Sequence, residues 1–238
     1  MILLAVDTCG KEGSLALARV DDAAGNISQL EIIELVQLEG GSISAQLVPQ
    51  IAALLIKHGM SLREIGSFVV AMGPGSFTGV RVGLAAVKGL AEALEKPIVA
   101  VSRLEAVARA SSFSAPVVAM RVVAAIDAGR KQAFVGEYDL TPGSATSPNQ
   151  RFPPSERLLL WQELPAFAAS RPVLTTDAQI AEIVRVAGGD ARVVAYPQAD
   201  TIARIGWKKF SAGDLADVVA LEANYIRRTD AEILVHGE

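Results

Sequence analysis

Cysteine, histidine and long apolar runs are all scarce in this 238-residue chain, and each scarcity removes a class of protein. A single cysteine, Cys9, excludes an internal disulfide. The two histidines, His58 and His236, form no His-x-x-x-His or His-Glu-x-x-His pair, so a zinc protease has no support. A surplus of basic charge is also missing: the net charge is −4, whereas a strong autonomous nucleic-acid binder draws its affinity from clustered Lys and Arg. The pairs Lys208-Lys209 and Arg227-Arg228 are short and read as solvated faces. Gly40 to Ile56 and Ile65 to Val80 are free of charge, but glutamine, proline or Gly-Pro-Gly interrupts them, and no membrane span is expected. The first residues lead into an apolar strand without a basic leader, so a reducing cytoplasm is the expected setting. What the chain does have is 51% hydrophobic residues, enough for the core of one large domain or two small ones.

The densest signal is Gly73-Pro74-Gly75-Ser76-Phe77-Thr78-Gly79-Val80-Arg81, between an apolar strand (Phe68 to Met72) and a helix. A glycine-rich loop at a helix start presents unpaired backbone N–H groups, where an anion or a partner's carboxylate is at home. Three familiar motifs nearly fit and each fails at a residue its chemistry needs. A Walker loop requires lysine where Val80 stands, a dinucleotide fingerprint requires glycine at Thr78, and a nucleophile elbow requires glycines at Pro74 and Thr78. Ser76 or Thr78 is expected to cap the helix that follows.

Two hairpins of one design lie half a chain apart. Leu4-Ala5-Val6-Asp7, a polar turn and Ser14 to Val20 form the first; Ala124-Ala125-Ile126-Asp127, a polar turn and Ala133 to Tyr138 form the second. Strands at Ile32 to Leu38, Phe68 to Met72, Ile98 to Val101, Val173 to Thr176 and Val193 to Tyr196 alternate with helices, including Ala178 to Ala187 and Thr201 to Phe210. This is a mixed α/β pattern of two related subdomains, 1–102 and 103–238, divided near Ser102, with the last segment free to pack back on the first. Thr141 to Pro154 reads as a surface loop.

The helix from Gly79 to Glu95 has two apolar stripes side by side, Val80-Leu84-Val87-Ala91-Leu94 and Gly79-Gly83-Ala86-Leu90-Ala93. Packing on one sheet requires less. Gly83 and Gly89 each cost about 1 kcal/mol in a helix interior, which suggests a close approach there. Ser44 to His58 repeats the pattern, with Leu47, Val48, Ile51, Leu54 and Leu55 on one side and Ala45, Ala52 and Ile56 on another. Either both helices are buried by the rest of the chain, or Leu47, Ile51, Leu54, Gly79, Gly83, Ala86 and Leu90 meet another chain in a four-helix contact. On the second reading Gly83→Arg leaves a folded monomer that no longer pairs.

GPGSFTGVR between strand and helix resembles the signature of the TsaB family, also called YeaZ. Leu3-Leu4-Ala5-Val6-Asp7-Thr8, Val122 to Ala128 and Ala223-Asn224-Tyr225-Ile226-Arg227-Arg228 resemble its opening strand, mid-chain strand and C-terminal segment. One departure is Ile43, which stands six residues before Pro49 where this family often has histidine. The resemblance implies an actin-like (ASKHA, ribonuclease H-like) duplicated α/β fold. It also implies a noncatalytic subunit for transfer of threonylcarbamoyl to the adenosine beside the anticodon of tRNAs. Its implied partners are a related catalytic TsaD-type subunit, a TsaE-type ATPase and a second copy of itself, with tRNA held only indirectly. No cofactor of its own is implied; ATP or ADP is a candidate for an interface between subunits. In actin-like kinases the aspartate ending each first strand faces nucleotide phosphates, so Asp7 and Asp127 have two readings. Either they join Gly73, Gly75, Ser76, Thr78 and Gly79 around an anion, or each caps its own turn, the role the noncatalytic resemblance favours. An autonomous nucleotide hydrolase or kinase of the same fold is the competing function. Cys9, with no sequence evidence for an activating histidine, reads as a small buried or turn cysteine.

Overall fold

The run from Ile2 to Asp7 has no polar residue before its last position, as suits a strand covered on both faces. In the computed structural model, which describes residues 1–20, 30–110, 121–140 and 156–226, it forms β1 (Ile2–Asp7). Consecutive residues of a strand point to opposite faces, and Leu3, Leu4, Ala5 and Val6 are all fully buried. β1 pairs antiparallel with β2 (Gly13–Val20), which pairs antiparallel with β3 (Leu30–Leu38). After α1 (Ile43–Lys57), β4 (Ile65–Ala71) joins the other side of β1 in parallel. The glycine-rich loop and α2 (Phe77–Leu94) lead to β5 (Ile98–Val101), parallel to β4.

After α3 (Arg103–Arg109) the same order recurs. β6 (Arg121–Gly129) pairs antiparallel with β7 (Gln132–Asp139), and β7 with β8 (Arg157–Leu160). Beyond α4 (Leu164–Ala168), β9 (Val173–Thr175) lies parallel to β6, and after α5 (Ala178–Val186) β10 (Ala191–Val193) lies parallel to β9. The sheets run β3-β2-β1-β4-β5 and β8-β7-β6-β9-β10, one topology used twice. This is the duplicated actin-like α/β fold. In the second hairpin Arg130 and Lys131 both adopt left-handed φ, the geometry that matches a two-residue turn to strand twist.

The last helix, α6 (Ala199–Ser211), follows the second sheet in sequence but packs on β1, β2, β4 and β5 of the first. Ala199, Ile202, Ala203 and Ile205 are essentially inaccessible there, and each buried isoleucine contributes about 1.5–3 kcal/mol. From Gly213 the chain crosses the edge of the first sheet, Ala216 bridging to Ile98, and returns to the end of β4, where Asn224 N–H donates to Met72 O at 2.8 Å.

The expected elements form within the described residues, with two differences. The strand expected at Val193–Tyr196 ends at Val193, because its ladder partner β9 stops at Thr175. Strand β8 and helix α4, four and five residues long, were too short to carry a periodic signal. The expected Thr141–Pro154 loop, Arg227-Arg228 and His236 lie outside the described residues.

Candidate functional site

Between the two sheets lies a cleft of about 1180 Å³. It is lined by Asp7, Gly75, Ser76, Thr78 and Gly79 from the first half and by Asp127 from the second, so the structure gathers these expected residues around one cavity. Gly73, also expected there, does not line the cavity; it adopts φ +97°, a conformation that favours glycine, and its carbonyl accepts from Arg103 N–H at 2.8 Å. Ser76 caps α2, its hydroxyl accepting from Gly79 N–H at 3.2 Å; Thr78 has no capping role. Ile43, at the family-histidine position, opens α1 and reaches the same cavity.

The glycines in the first two turns of α2 answer to a close approach within the chain. A Cβ on Gly79 would sit 2.0 Å from Thr8 O, and one on Gly83 would sit 2.3 Å from Thr8 Oγ1. Thr8 in turn donates to Gly79 O at 2.6 Å, so the start of α2 lies directly on the β1–β2 turn.

Both aspartates serve their turns: Asp7 Oδ1 accepts from Cys9 N–H and Asp127 Oδ1 from Gly129 N–H, each at 2.8 Å. Asp7 does more. It is buried, and its Oδ2 lies 3.2 Å from Nε of Arg103, the first residue of α3 and itself 1% exposed. Burial works against the guanidinium charge, but Asp7, with Tyr196 and Cys9, offsets it and holds the Arg103 pKa above its ordinary value. The Tyr196 ring lies over that guanidinium at 4.5 Å. Burial, then Asp7, pushes the Cys9 thiol well up, and its S–H donates to Ala71 O at 3.3 Å. Such a thiol is a packing group rather than a nucleophile. A lone arginine after a strand gives no sequence signal that it will be buried, and Arg103 was missed.

A second unforeseen cluster includes Asn224, which lines the cleft. Glu156 accepts from Ser102 Oγ at 2.5 Å, from Tyr138 Oη and from Asn224 Nδ2, joining the β5–α3 junction, the second sheet and the C-terminal segment. Burial raises the Glu156 pKa, and the three donors oppose that rise. At the rim, Arg81 Nε donates to Tyr225 Oη at 2.6 Å, and its guanidinium lies 3.6 Å over the Phe77 ring.

The partner face expected on α1 and α2 needs correction. Leu47, Ile51 and Leu54 are 1–3% exposed, and Gly79 and Gly83 are buried against Thr8, so these five belong to the chain's own core. Gly83→Arg would break that packing and does not test pairing. Ala86 and Leu90 are half-buried, and the faces left open carry Val48 (56% exposed) and Ile56 (76%) with Ala52, Ala85, Gly89 and Ala93. His58 caps the C-terminus of α1, as expected, and its Nε2 lies 2.7 Å from Glu34 Oε2 on β3. Hydrogen bonds from Lys57 and His58 lower the Glu34 pKa. Among the described residues no group of three His, Cys, Asp or Glu could hold a metal, and no helix is long and apolar enough to cross a membrane.

A family model described as TsaD, tRNA N6-adenosine threonylcarbamoyltransferase, matches residues 42–163. The Bacillus subtilis (strain 168) tRNA threonylcarbamoyladenosine biosynthesis protein TsaB is 30% identical over 246 aligned positions, which cover 98% of this chain and 96% of that protein. Two solved structures from Pseudomonas aeruginosa are each 26% identical. One, described as YeaZ, has a TM-score of 0.66 and covers 94% of this chain and 100% of its own. The other, an uncharacterized protein with similarity to peptidase YEAZ, has a TM-score of 0.70 and covers 95% and 99%.

Proposed function

The chain belongs to the TsaB family of tRNA threonylcarbamoyladenosine biosynthesis proteins, and we propose that it serves there as a noncatalytic subunit supporting a related TsaD-type transferase. The observation that carries this reading is the state of the cleft: Asp7, the carboxylate best placed for phosphate or metal chemistry, is committed to buried Arg103 and to its own turn. Asp127, opposite, is engaged by Gly129 N–H. The competing hydrolase or kinase would draw its chemistry from these two acids.

Contact with the TsaD-type subunit is assigned to the open faces of α1 and α2, around Val48, Ala52, Ile56 and Leu90. Exposed isoleucine and valine beside alanines and Gly89 allow close helix packing of the four-helix kind. A second copy of this chain competes for the same surface, the net charge of −4 leaves tRNA to the partner, and a TsaE-type ATPase completes the assembly. ATP or ADP, where required, is placed between subunits, and a cytoplasmic setting follows from the substrate.

Light scattering of the chain alone and mixed with the TsaD-type subunit, followed by threonylcarbamoylation of unmodified tRNA, tests the reading. A heteromeric species with activity that neither chain shows alone is expected. Ile56→Glu, at an open position, is expected to keep the circular dichroism of the wild type and to weaken that complex at least tenfold, because a carboxylate is buried on pairing. ATP turnover by the isolated chain, without association, would return the function to the cleft.

A further inference from the structure

The chain passes from the first sheet to the second at Ser102–Arg103, between β5 and α3, and returns over residues 194–198, between β10 and α6. Helix α3 belongs to the second half, where its Leu104, Val107 and Ala108 pack with Val122 and Ala124 of β6. In a fold of two subdomains such crossings are the hinge, the few residues whose backbone absorbs a change of angle between the halves. Both crossings are pinned by their backbones. Arg103 N–H donates to Gly73 O at 2.8 Å; Val194 N–H donates to Thr175 O at 2.8 Å on the second sheet, and Ala199 N–H to Ser14 Oγ at 2.9 Å on the first. Their side chains also meet, because the Tyr196 ring of the return crossing lies 4.5 Å over the Arg103 guanidinium of the outward one. From there Arg103 reaches Asp7 Oδ2, at the end of β1, at 3.2 Å. The Tyr196 hydroxyl comes so close to the β1–β2 turn that a Cβ on Gly10 would lie 2.8 Å from it.

We propose that Arg103 and Tyr196 form a latch across this hinge, which holds the two subdomains at one angle and keeps the cleft from opening or closing. A buried ion pair adds little net stability, because desolvation offsets its attraction; what it fixes is geometry, since either charge left buried without the other is strongly penalised. Arg103 and Asp7 are 1% and 3% exposed and come from opposite halves, so rotation about the crossings would separate a pair that cannot be parted cheaply. Tyr196 is half exposed and lines the cleft, so it shields the guanidinium from the solvent side and ties the return crossing to the outward one. The latch does not rest on the subunit role, and its test involves no partner and no tRNA.

Gln37 on β3 and Gln179 on α5 are exposed, one in each half, and nitroxide labels on Gln37→Cys and Gln179→Cys report the angle between the halves by double electron–electron resonance. Cys9, 1% exposed, is left in place. One narrow distance is expected for the full chain with Arg103 and Tyr196 intact. Tyr196→Leu, at a half-exposed position, is expected to keep the circular dichroism of the wild type and to widen the distance distribution roughly twofold. Arg103→Met combined with Asp7→Asn, which leaves no orphan charge, is expected to widen it similarly. Tyr196→Phe keeps a ring over the guanidinium and is expected to stay narrow. Two separate distances in the chain with both latch residues intact, or a Tyr196→Leu distribution no wider than that of the intact chain, overturns the proposal.

Discussion

At the scale of single residues, Thr8 decides what two glycines of α2 are for. A methyl group at position 79 would meet backbone oxygen, which cannot move away, whereas one at position 83 would meet a side-chain hydroxyl. Gly79→Ala is therefore expected to destabilise more than Gly83→Ala, the latter by about 1–3 kcal/mol. Thr8→Ala is expected to rescue Gly83→Ala and not Gly79→Ala, a non-additivity that urea unfolding of the double variants measures. Glu156 carries a pH dependence at the same scale. Its folded-state pKa is raised, so between the ordinary carboxylate value and the raised one the folded protein holds a proton that the unfolded chain has lost. Stability from this group therefore falls as pH climbs through that window and returns as pH drops back towards the ordinary value. Glu156→Gln keeps an acceptor for Ser102 and Tyr138, and the Asn224 amide can flip to face the new NH₂. The variant is expected to gain relative to wild type as pH climbs above the ordinary carboxylate value, and a stability difference between the two proteins that does not change with pH would refute the assignment.

At the scale of elements, α2 shows two different uses of glycine in one helix. Gly83 faces Thr8, but a Cβ on Gly89 meets nothing within 4 Å. Gly89→Ala is expected to stabilise the isolated chain by about 0.5–1 kcal/mol, since only backbone entropy and helix propensity change. If the open face is the partner surface, the same substitution weakens association with the TsaD-type subunit, and comparing unfolding midpoint with complex affinity separates the two effects. The pairing of apolar stripe with glycine was readable in the sequence. Which neighbour the glycines admit was not, because Thr8 lies 71 positions from Gly79.

At the scale of the whole molecule, the second half of the chain completes the first. Helix α6 covers the first sheet, where Gly206 approaches Val69 so closely that a Cβ would lie 2.2 Å from its Cγ1, and Ala199 N–H donates to Ser14 Oγ at 2.9 Å. Beyond it, Lys88 of α2 donates to the carbonyls of Val219 and Leu221, which fastens the C-terminal segment along that helix. A fragment of residues 1–102 exposes the apolar surface that α6 covers, and is expected to be aggregated or unfolded by circular dichroism and gel filtration. Co-expression with residues 190–238 is expected to recover soluble material; a fragment that folds alone would show that α6 is dispensable.

The sequence by itself determined the two hairpins, their duplication and the helix opened by the glycine-rich loop, because alternation, turn chemistry and capping act over a few residues. It also contained the Asp7 and Asp127 turns, since an Asx carboxylate bonds the backbone two positions on. Only the tertiary structure decided that Arg103 reaches Asp7, that Glu156 gathers Ser102, Tyr138 and Asn224, and that Leu47, Ile51 and Leu54 face inward while Val48 and Ile56 face out. Those contacts join residues far apart in sequence, and periodicity gives the width of an apolar stripe on a helix without naming what covers each part of it.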